Sequence, residues 1–463
     1  MAETETHPWR TTAVLALAVV GFAVQQTSVV PAVQDIEKSL HGSAEWSAWL
    51  ITLYLIIATV ATLVMGRLAD LHGRRRLLLI GMAVFAVSSI LAAFAPNMAS
   101  LLVLRALQGV GGAVYPLALS FTRDELPEDR VTTGVSVLTA AFGVGSGIGL
   151  VSGGLFASYL SWRWIFVLGA VLVVVGGLLL WRFLPAYDGH AGGSFDLVGT
   201  VTLGAATTAL LVALTLVVGL GWSSPVVIVL LCVAVLAGAG WVVTERTVSD
   251  PLIDLHILTK RSVVVANLGT VAVGWSMFSA LLLVPQFARS SPGDAGLGLG
   301  AGSASIGLIM LPLALGQIGS ALAAERAMRV IGSRAMLAVA LVCFLAATGV
   351  LAVDRTSTTL AVVGTLLLGC GAGSGIQSAS AVVTESVAAD VASASTSFNS
   401  TVRRFAGGIG GQVSTILLTA LAVSSLPGVR SFVTGYLIGG GLCLVALIGV
   451  AIETAAQRRT RRA

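Results

Sequence analysis

Apolar residues in this chain gather into runs of roughly twenty, the length an α-helix needs to cross the hydrocarbon core of a bilayer. These runs predict spans at 12–33, 47–69, 77–95, 99–121, 133–157, 164–185, 197–219, 224–244, 262–286, 303–323, 335–353, 359–384, 397–420 and 431–452. The breaks between them carry charge or turn residues, as in Asp70 to Arg76, Thr122 to Arg130 and Ser290 to Gly293. The pattern predicts an all-α integral membrane protein with about fourteen transmembrane helices.

Lys and Arg collect in the cytoplasmic loops of membrane proteins, so their distribution tests the count. With both termini in the cytoplasm, about 20 of the 26 Lys and Arg fall on that side, among them Arg10, Arg74, Arg123, Arg130, Arg334, Arg403 and Arg404. Lys38, Arg163, Arg289, Arg355 and Arg430 fall on the other. An even number of spans and cytoplasmic termini follow as expectations. Trp9, Trp46, Trp49, Trp162, Trp164, Trp181, Trp222 and Trp241 lie near predicted interfaces, where an aromatic belt belongs, whereas Trp275 falls mid-helix.

The spans divide into a six-helix bundle at 1–185, a two-helix hairpin with flanking cytoplasmic linkers at 186–261, and a second six-helix bundle with a basic tail at 262–463. Two related halves facing each other across a midplane site are a common transporter plan.

Composition narrows the function. The chain is 56% hydrophobic and 10% charged, against roughly 25% charged in soluble domains, so lipid is its main solvent. The net charge of +5 sits on no polar domain, which argues against a nucleic-acid partner. Met1 to Arg10 lacks the basic start and cleavage site of a signal peptide and reads as part of the mature chain. Cys232, Cys343, Cys370 and Cys443 lie inside apolar runs and read as small packing residues. No metal-ligand spacing, nucleophile–base set or phosphate loop is present, so neither an enzyme nor a cofactor is expected. A receptor or scaffold would need a sizeable soluble domain or long loops, and the spans leave no room for one.

The most specific local signal joins the second and third spans, Gly66-Arg67-Leu68-Ala69-Asp70-Leu71-His72-Gly73-Arg74-Arg75-Arg76. Gly66 permits close helix approach, Gly73 a tight turn, and the arginines hold the loop in the cytoplasm. The fourth span adds Arg105-Ala-Leu-Gln108-Gly109, and the fifth Gly149-Leu-Val-Ser-Gly153-Gly154, followed by Trp162-Arg163-Trp164. Span thirteen opens with Asn399-Ser-Thr-Val-Arg403-Arg404 and Gly407-Gly408.

Together these segments resemble the major facilitator superfamily, in particular its fourteen-span drug:proton antiporter branch. The resemblance implies a secondary active transporter in the cell membrane, acting as a monomer, that exports small amphiphilic compounds by alternating access coupled to protons. The alternatives are a carrier of another cargo, such as a lipid, siderophore or metabolite, and a uniporter. The resemblance also implies a charge network of Asp70 and Arg74 with Asp124, and counts Arg75 with Gly66 and Gly73 among the signature-loop and gating residues. That network stands under two readings, proton carrier and conformational latch.

Departures from the branch bear on mechanism. Its usual acid in the first span is replaced by Gln25, which cannot titrate. Leu150 stands where the antiporter motif has Pro, and the second copy of the signature loop has decayed to Glu325-Arg-Ala-Met-Arg329-Val-Ile-Gly332-Ser-Arg334. Arg105 is the one clear intramembrane charge in this reading, and Gln25 or Gln108 offers it an acceptor. Its role is either to line a central cavity or to pin helix four against helix one through backbone carbonyls. A cavity with an arginine and no carboxylate favours neutral or anionic substrates over cations. Trp275 is either a wall of that cavity or packing between helices.

Overall fold

The computed structural model describes residues 8–184, 196–248, 259–291, 298–353, 356–387, 389–423 and 426–460. The side chains of Arg67 and Asp70, the loop before the hairpin, most of the linker after it, and Arg355 lie outside the described residues. The described residues form fourteen long helices. They are α1 Pro8–Ser39, α2 Ala44–His72, α3 Arg74–Ala93, α4 Met98–Glu125, α5 Glu128–Tyr159, α6 Arg163–Phe183 and α7 Leu197–Leu220. The rest are α8 Pro225–Thr247, α9 Arg261–Arg289, α10 Ser303–Ile331, α11 Ser333–Val353, α12 Thr358–Ser386, α13 Ala389–Ala420 and α14 Val429–Thr460. Each coincides with a predicted span, and several run beyond it by two turns, as α10, α13 and α14 do at one end. A two-residue antiparallel pair, Ala422–Val423 with Leu426–Pro427, joins the last two.

Local chemistry sets the ends. Asn97 and Ser100 form a capping box at the start of α4, and Ser43, Asp196 and Ser357 cap α2, α7 and α12. Gly73 and Gly332 turn the chain sharply after α2 and α10 at φ of 92° and 85°, conformations that favour glycine. A 3₁₀ turn at Val110–Ala113 interrupts α4. There Gly111 and Gly112 touch Phe85 and Ala58 with no room for a side chain.

Among the described residues thirteen helices are long and apolar enough to span a membrane. The exception, α13, carries Asn399, Arg403, Arg404, Gln412 and Ser414, all buried, so its polar face is turned into the protein rather than toward lipid.

Helices α1 to α6 pack around Phe22, Phe85, Tyr115 and Phe142, whose rings lie 5.1–6.3 Å apart. Helices α9 to α14 pack on one another, chiefly α10 on α12, α11 on α12 and α9 on α13. The two groups meet along α5–α10 and along α2–α13. The α7–α8 pair lies outside the second of these seams: α7 touches both α2 and α13, and the most apolar stretch of α8 is only 11% buried.

The α5–α10 seam depends on glycine. A Cβ on Gly154 would lie 2.4 Å from the Ser303 carbonyl oxygen, and one on Gly307 2.5 Å from that of Leu150. The other side of α5 meets α1 as closely, with Gly149 against Val24 and Gly153 against Ser28. Small residues let helix backbones approach in this way.

Two sequence expectations need correction. A Cβ on Gly66 would meet nothing within 4 Å, so Gly66 mediates no close helix contact in this arrangement. Trp162 is buried at 4% exposure, with Phe166 edge-on and Arg163 over its ring, so it belongs to the packing at its helix end and not to an interfacial belt.

Candidate functional site

Between the two groups of helices lies a narrow cavity of about 30 Å³, bordered by Gln26, Thr27, Tyr54, Arg105, Phe278, Leu282 and Gly411. A space of that size admits a water or two, so a drug-sized solute requires the helices to part. Its wall draws on α1, α2 and α4 from one side and α9 and α13 from the other.

Arg105 is buried at 1% exposure. Its Nε donates to the Leu50 carbonyl at 3.2 Å, its Nη1 donates to Gln108 Oε1 at 2.8 Å, and its guanidinium lies 4.4 Å from the Tyr54 ring centroid. Gln108 passes the chain on by donating to Ser89 at 2.9 Å. Arg105 therefore ties α4 to α2, not to α1, while still bordering the cavity. Gln108 is its acceptor; Gln25 is not.

Gln25 is fully buried elsewhere. Its side chain rests against Gly169 of α6, where a Cβ would come within 1.5 Å of Oε1. The neighbouring Gln26 borders the cavity instead. Trp275 likewise faces away: Gly410 and Gly439 close around its indole, which makes it packing between α9, α13 and α14. Phe278, nearly one turn on, supplies the aromatic wall.

Both ends of the cavity are closed by contacts between the two groups of helices. At the end where Arg74, Arg130 and Arg334 gather, here the basic end, Thr133 donates to Glu325 at 2.7 Å and Ser136 donates to Gln377 at 2.9 Å. Arg123 reaches across to Ser380, 3.4 Å away, and to Thr396. At the opposite end Arg289 donates to Gln34 at 2.6 Å and to the Pro31 carbonyl at 3.0 Å, and Ser303 donates to Asp35 at 2.7 Å. Beside the cavity, Gln412 donates to Thr52 at 2.6 Å.

The signature segment builds a bracket at the basic end. Arg74, the first residue after the Gly73 turn, pairs with Asp124 at the end of α4, and Arg75 donates to the Trp181 carbonyl at 2.5 Å. The second half repeats the plan although its motif has decayed. After the Gly332 turn, Arg334 lies 3.9 Å from Glu385 at the end of α12 and 3.3 Å from the buried Glu453. Arg329, in the place of the motif's acid, pairs with Glu325 at 2.7 Å within its own helix.

Sequence reading missed two residues. Arg403 and Arg404 were expected at the cytoplasmic surface, but they are buried at 7% and 8% exposure within α13. Arg403 lies 6.0 Å from the Tyr115 ring centroid, and its carbonyl oxygen packs against Gly274 in the middle of α9. The signal was available, since the predicted span 397–420 already contained both. Among the described residues no group of three His, Cys, Asp or Glu is placed to hold a metal.

A family model described as Major Facilitator Superfamily matches residues 15–411. The chain is 27% identical over 306 residues to multidrug transporter protein MdtP of Bacillus subtilis, covering 66% of this chain and 55% of that one. It is 28% identical over 301 residues to the tetracenomycin C resistance and export protein of Streptomyces glaucescens, covering 63% and 56%. It is 32% identical over 302 residues to the puromycin resistance protein pur8 of Streptomyces alboniger, covering 62% and 59%. The chain thus spans little more than half the length of these relatives. Among solved structures it is similar to the nucleoside transporter NupG, in a D323A mutant crystal, at a TM-score of 0.64 and 12% identity over 96% of this chain and 99% of that one. Likeness at that identity concerns the fold alone.

Proposed function

The chain belongs to the major facilitator superfamily, a family of transporters and not of enzymes, and on that premise we propose that it exports small amphiphilic compounds by alternating access. In this reading α1–α6 and α9–α14 are the two bodies that rock about the cavity, and the α7–α8 hairpin rides on the α2–α13 seam. The basic end faces the cytoplasm, with both termini there, and the membrane is the cell membrane. The observation that carries the reading is a central cavity shut at both ends by hydrogen bonds between the halves, Thr133–Glu325 on one side and Arg289–Gln34 on the other. Such contacts are the ones alternating access must break in turn. The printed names of three relatives, a multidrug transporter and two antibiotic resistance or export proteins, support efflux as the direction.

Arg105, buried with no carboxylate partner among the described residues, makes the cavity better suited to neutral or anionic cargo than to permanent cations. Proton coupling runs through the Arg74–Asp124 pair, with Asp70 beside it in the sequence. A uniporter is the second reading, favoured by Gln25, which holds the usual place of the acid and cannot titrate. Everted membrane vesicles containing the protein, given a panel of neutral, anionic and cationic amphiphiles with and without an imposed pH gradient, test all of this. Gradient-stimulated accumulation of neutral or anionic compounds is the expected result. Accumulation confined to quaternary ammonium dyes would overturn the substrate reading, and indifference to the gradient would select the uniporter.

A further inference from the structure

Three guanidinium groups are buried between the halves: Arg105 on α4, and Arg403 and Arg404 on α13. A guanidinium keeps its proton in proteins, so the charge persists, and an uncompensated charge inside a membrane protein is costly. The buried carboxylates among the described residues lie elsewhere. Asp196 caps α7, Glu245 accepts from Trp241 on α8, and Glu453 pairs with Arg334.

The three arginines differ in how the protein treats them. Arg105 has a carbonyl, an amide oxygen and an aromatic face. Arg404 has none of these: its Nε is buried without an acceptor. Among the described residues neither α13 arginine makes a hydrogen bond or ion pair, and the Tyr115 ring, 6.0 Å away, is the one cation–π contact of Arg403. Two adjacent like charges in that condition repel each other as well.

Their position is informative. Arg404 and Gly411 are seven residues apart, two turns on one helix face, and Gly411 borders the cavity. The Arg105 guanidinium lies 4.4 Å from the Tyr54 ring centroid, and that of Arg403 lies 6.0 Å from the Tyr115 ring centroid. Two tyrosines from the first half thus stand among arginines contributed by both halves.

We propose that Arg403 and Arg404 form a second anion-binding position, two turns from the Arg105 cavity toward the basic end, which takes the carboxylate of an amphiphilic organic anion. Paired guanidinium donors match the two oxygens of a carboxylate, and the rings of Tyr54 and Tyr115 offer an apolar surface to the body attached to it. The site names the substrate class left open above. Binding at the site does not depend on the exporter reading, but its use in transport does.

The test uses the full-length protein in lipid nanodiscs and a fluorescent aromatic carboxylate beside its uncharged methyl ester. Wild type is expected to bind the carboxylate at least tenfold more tightly than the ester. Arg403→Gln and Arg404→Gln are each expected to weaken carboxylate binding tenfold or more while changing ester binding less than twofold, and Arg404→Lys is expected to retain part of it. Should the glutamine variants fail to fold, wild type alone decides. The carboxylate, and not the ester, must then protect the peptide containing Arg403 and Arg404 from an arginine-directed dicarbonyl reagent, read by mass spectrometry. Equal wild-type affinity for carboxylate and ester, unchanged carboxylate binding in a folded Arg404→Gln, or protection by chloride alone equal to that by the dye would each overturn the proposal. Carboxylate binding that responds to these variants, with no export from everted vesicles, supports the site and refutes the exporter.

Discussion

Thr133 on α5 donates to Glu325 on α10 across 2.7 Å and, with Ser136–Gln377 and the reach of Arg123 to Ser380, fastens the halves at the basic end. Its counterpart at the opposite end joins Arg289 to Gln34. With both fastened, the arrangement is occluded, and the balance between them sets which side opens.

Thr133→Val keeps the shape of the side chain and removes the donor. A hydrogen bond of this kind contributes about 1–2 kcal/mol net, so the population open at the basic end should rise by roughly fivefold or more. Electron–electron distance measurements between spin labels at His72 and Arg326, exposed on the two halves, should show the longer separation gaining weight. An unchanged distance distribution would mean that the bond is no gate.

Glycine substitutions should separate packing from mere composition. A Cβ on Gly153 would lie 2.0 Å from the Ser28 carbonyl oxygen, whereas one on Gly66 would meet nothing within 4 Å. Gly153→Ala is expected to force α1 and α5 apart at a cost of about 1–3 kcal/mol, lowering the melting temperature by several degrees. Gly66→Ala should leave it unchanged or raise it slightly, because alanine favours a helix by about 1 kcal/mol. Thermal unfolding in detergent checks both.

The Arg74–Asp124 pair is partly exposed, with side chains at 18% and 34%, so its loss should cost stability little, at most about 1 kcal/mol. Asp124→Asn is expected to abolish stimulation of export by a pH gradient while downhill flux persists. Retained stimulation would reduce the pair to a latch.

Gln25 tests the missing acid directly. It is fully buried against Gly169, and neither its amide nitrogen nor its oxygen has a partner. A carboxylate introduced there by Gln25→Glu would be desolvated, and its pKa would rise above the unfolded value. The neutral acid is then tolerated at low pH, and stability is lost as pH climbs through the raised pKa. The melting temperature of the variant should fall between acid and alkaline buffers, while wild type stays comparatively flat.

Phe278 borders the cavity, and Trp275 is wedged against Gly410. Phe278→Ala should alter which compounds are exported, by several-fold in apparent KM, and should also lower the melting temperature, because Phe278 is buried and packs against Gly407. Trp275→Phe should lower the melting temperature and leave the substrate profile intact. Competition among a panel of amphiphiles in vesicles distinguishes the two.

Most of the fold was legible in the sequence, since runs of apolar residues long enough to span lipid have one structural answer and their breaks fix the number of spans. The Gly73 turn was legible too, because a positive-φ turn is a local demand, whereas the Arg74–Asp124 pair, which joins the start of α3 to the end of α4, was implied only by the family resemblance. The identity of the cavity residues was not. Whether Gln25 or Gln26 meets the cavity is a matter of 100° around one helix, decided by the gap that Gly169 opens on α6. Whether Arg403 and Arg404 lie in the cytoplasm or among tyrosines depends on α13 being surrounded by α2, α7 and α9, which lets a helix too polar for lipid cross the protein. Membrane segments report their solvent through composition. Which side chains meet across the middle is set by the close approach of helices distant in the chain, and no local run of residues encodes that.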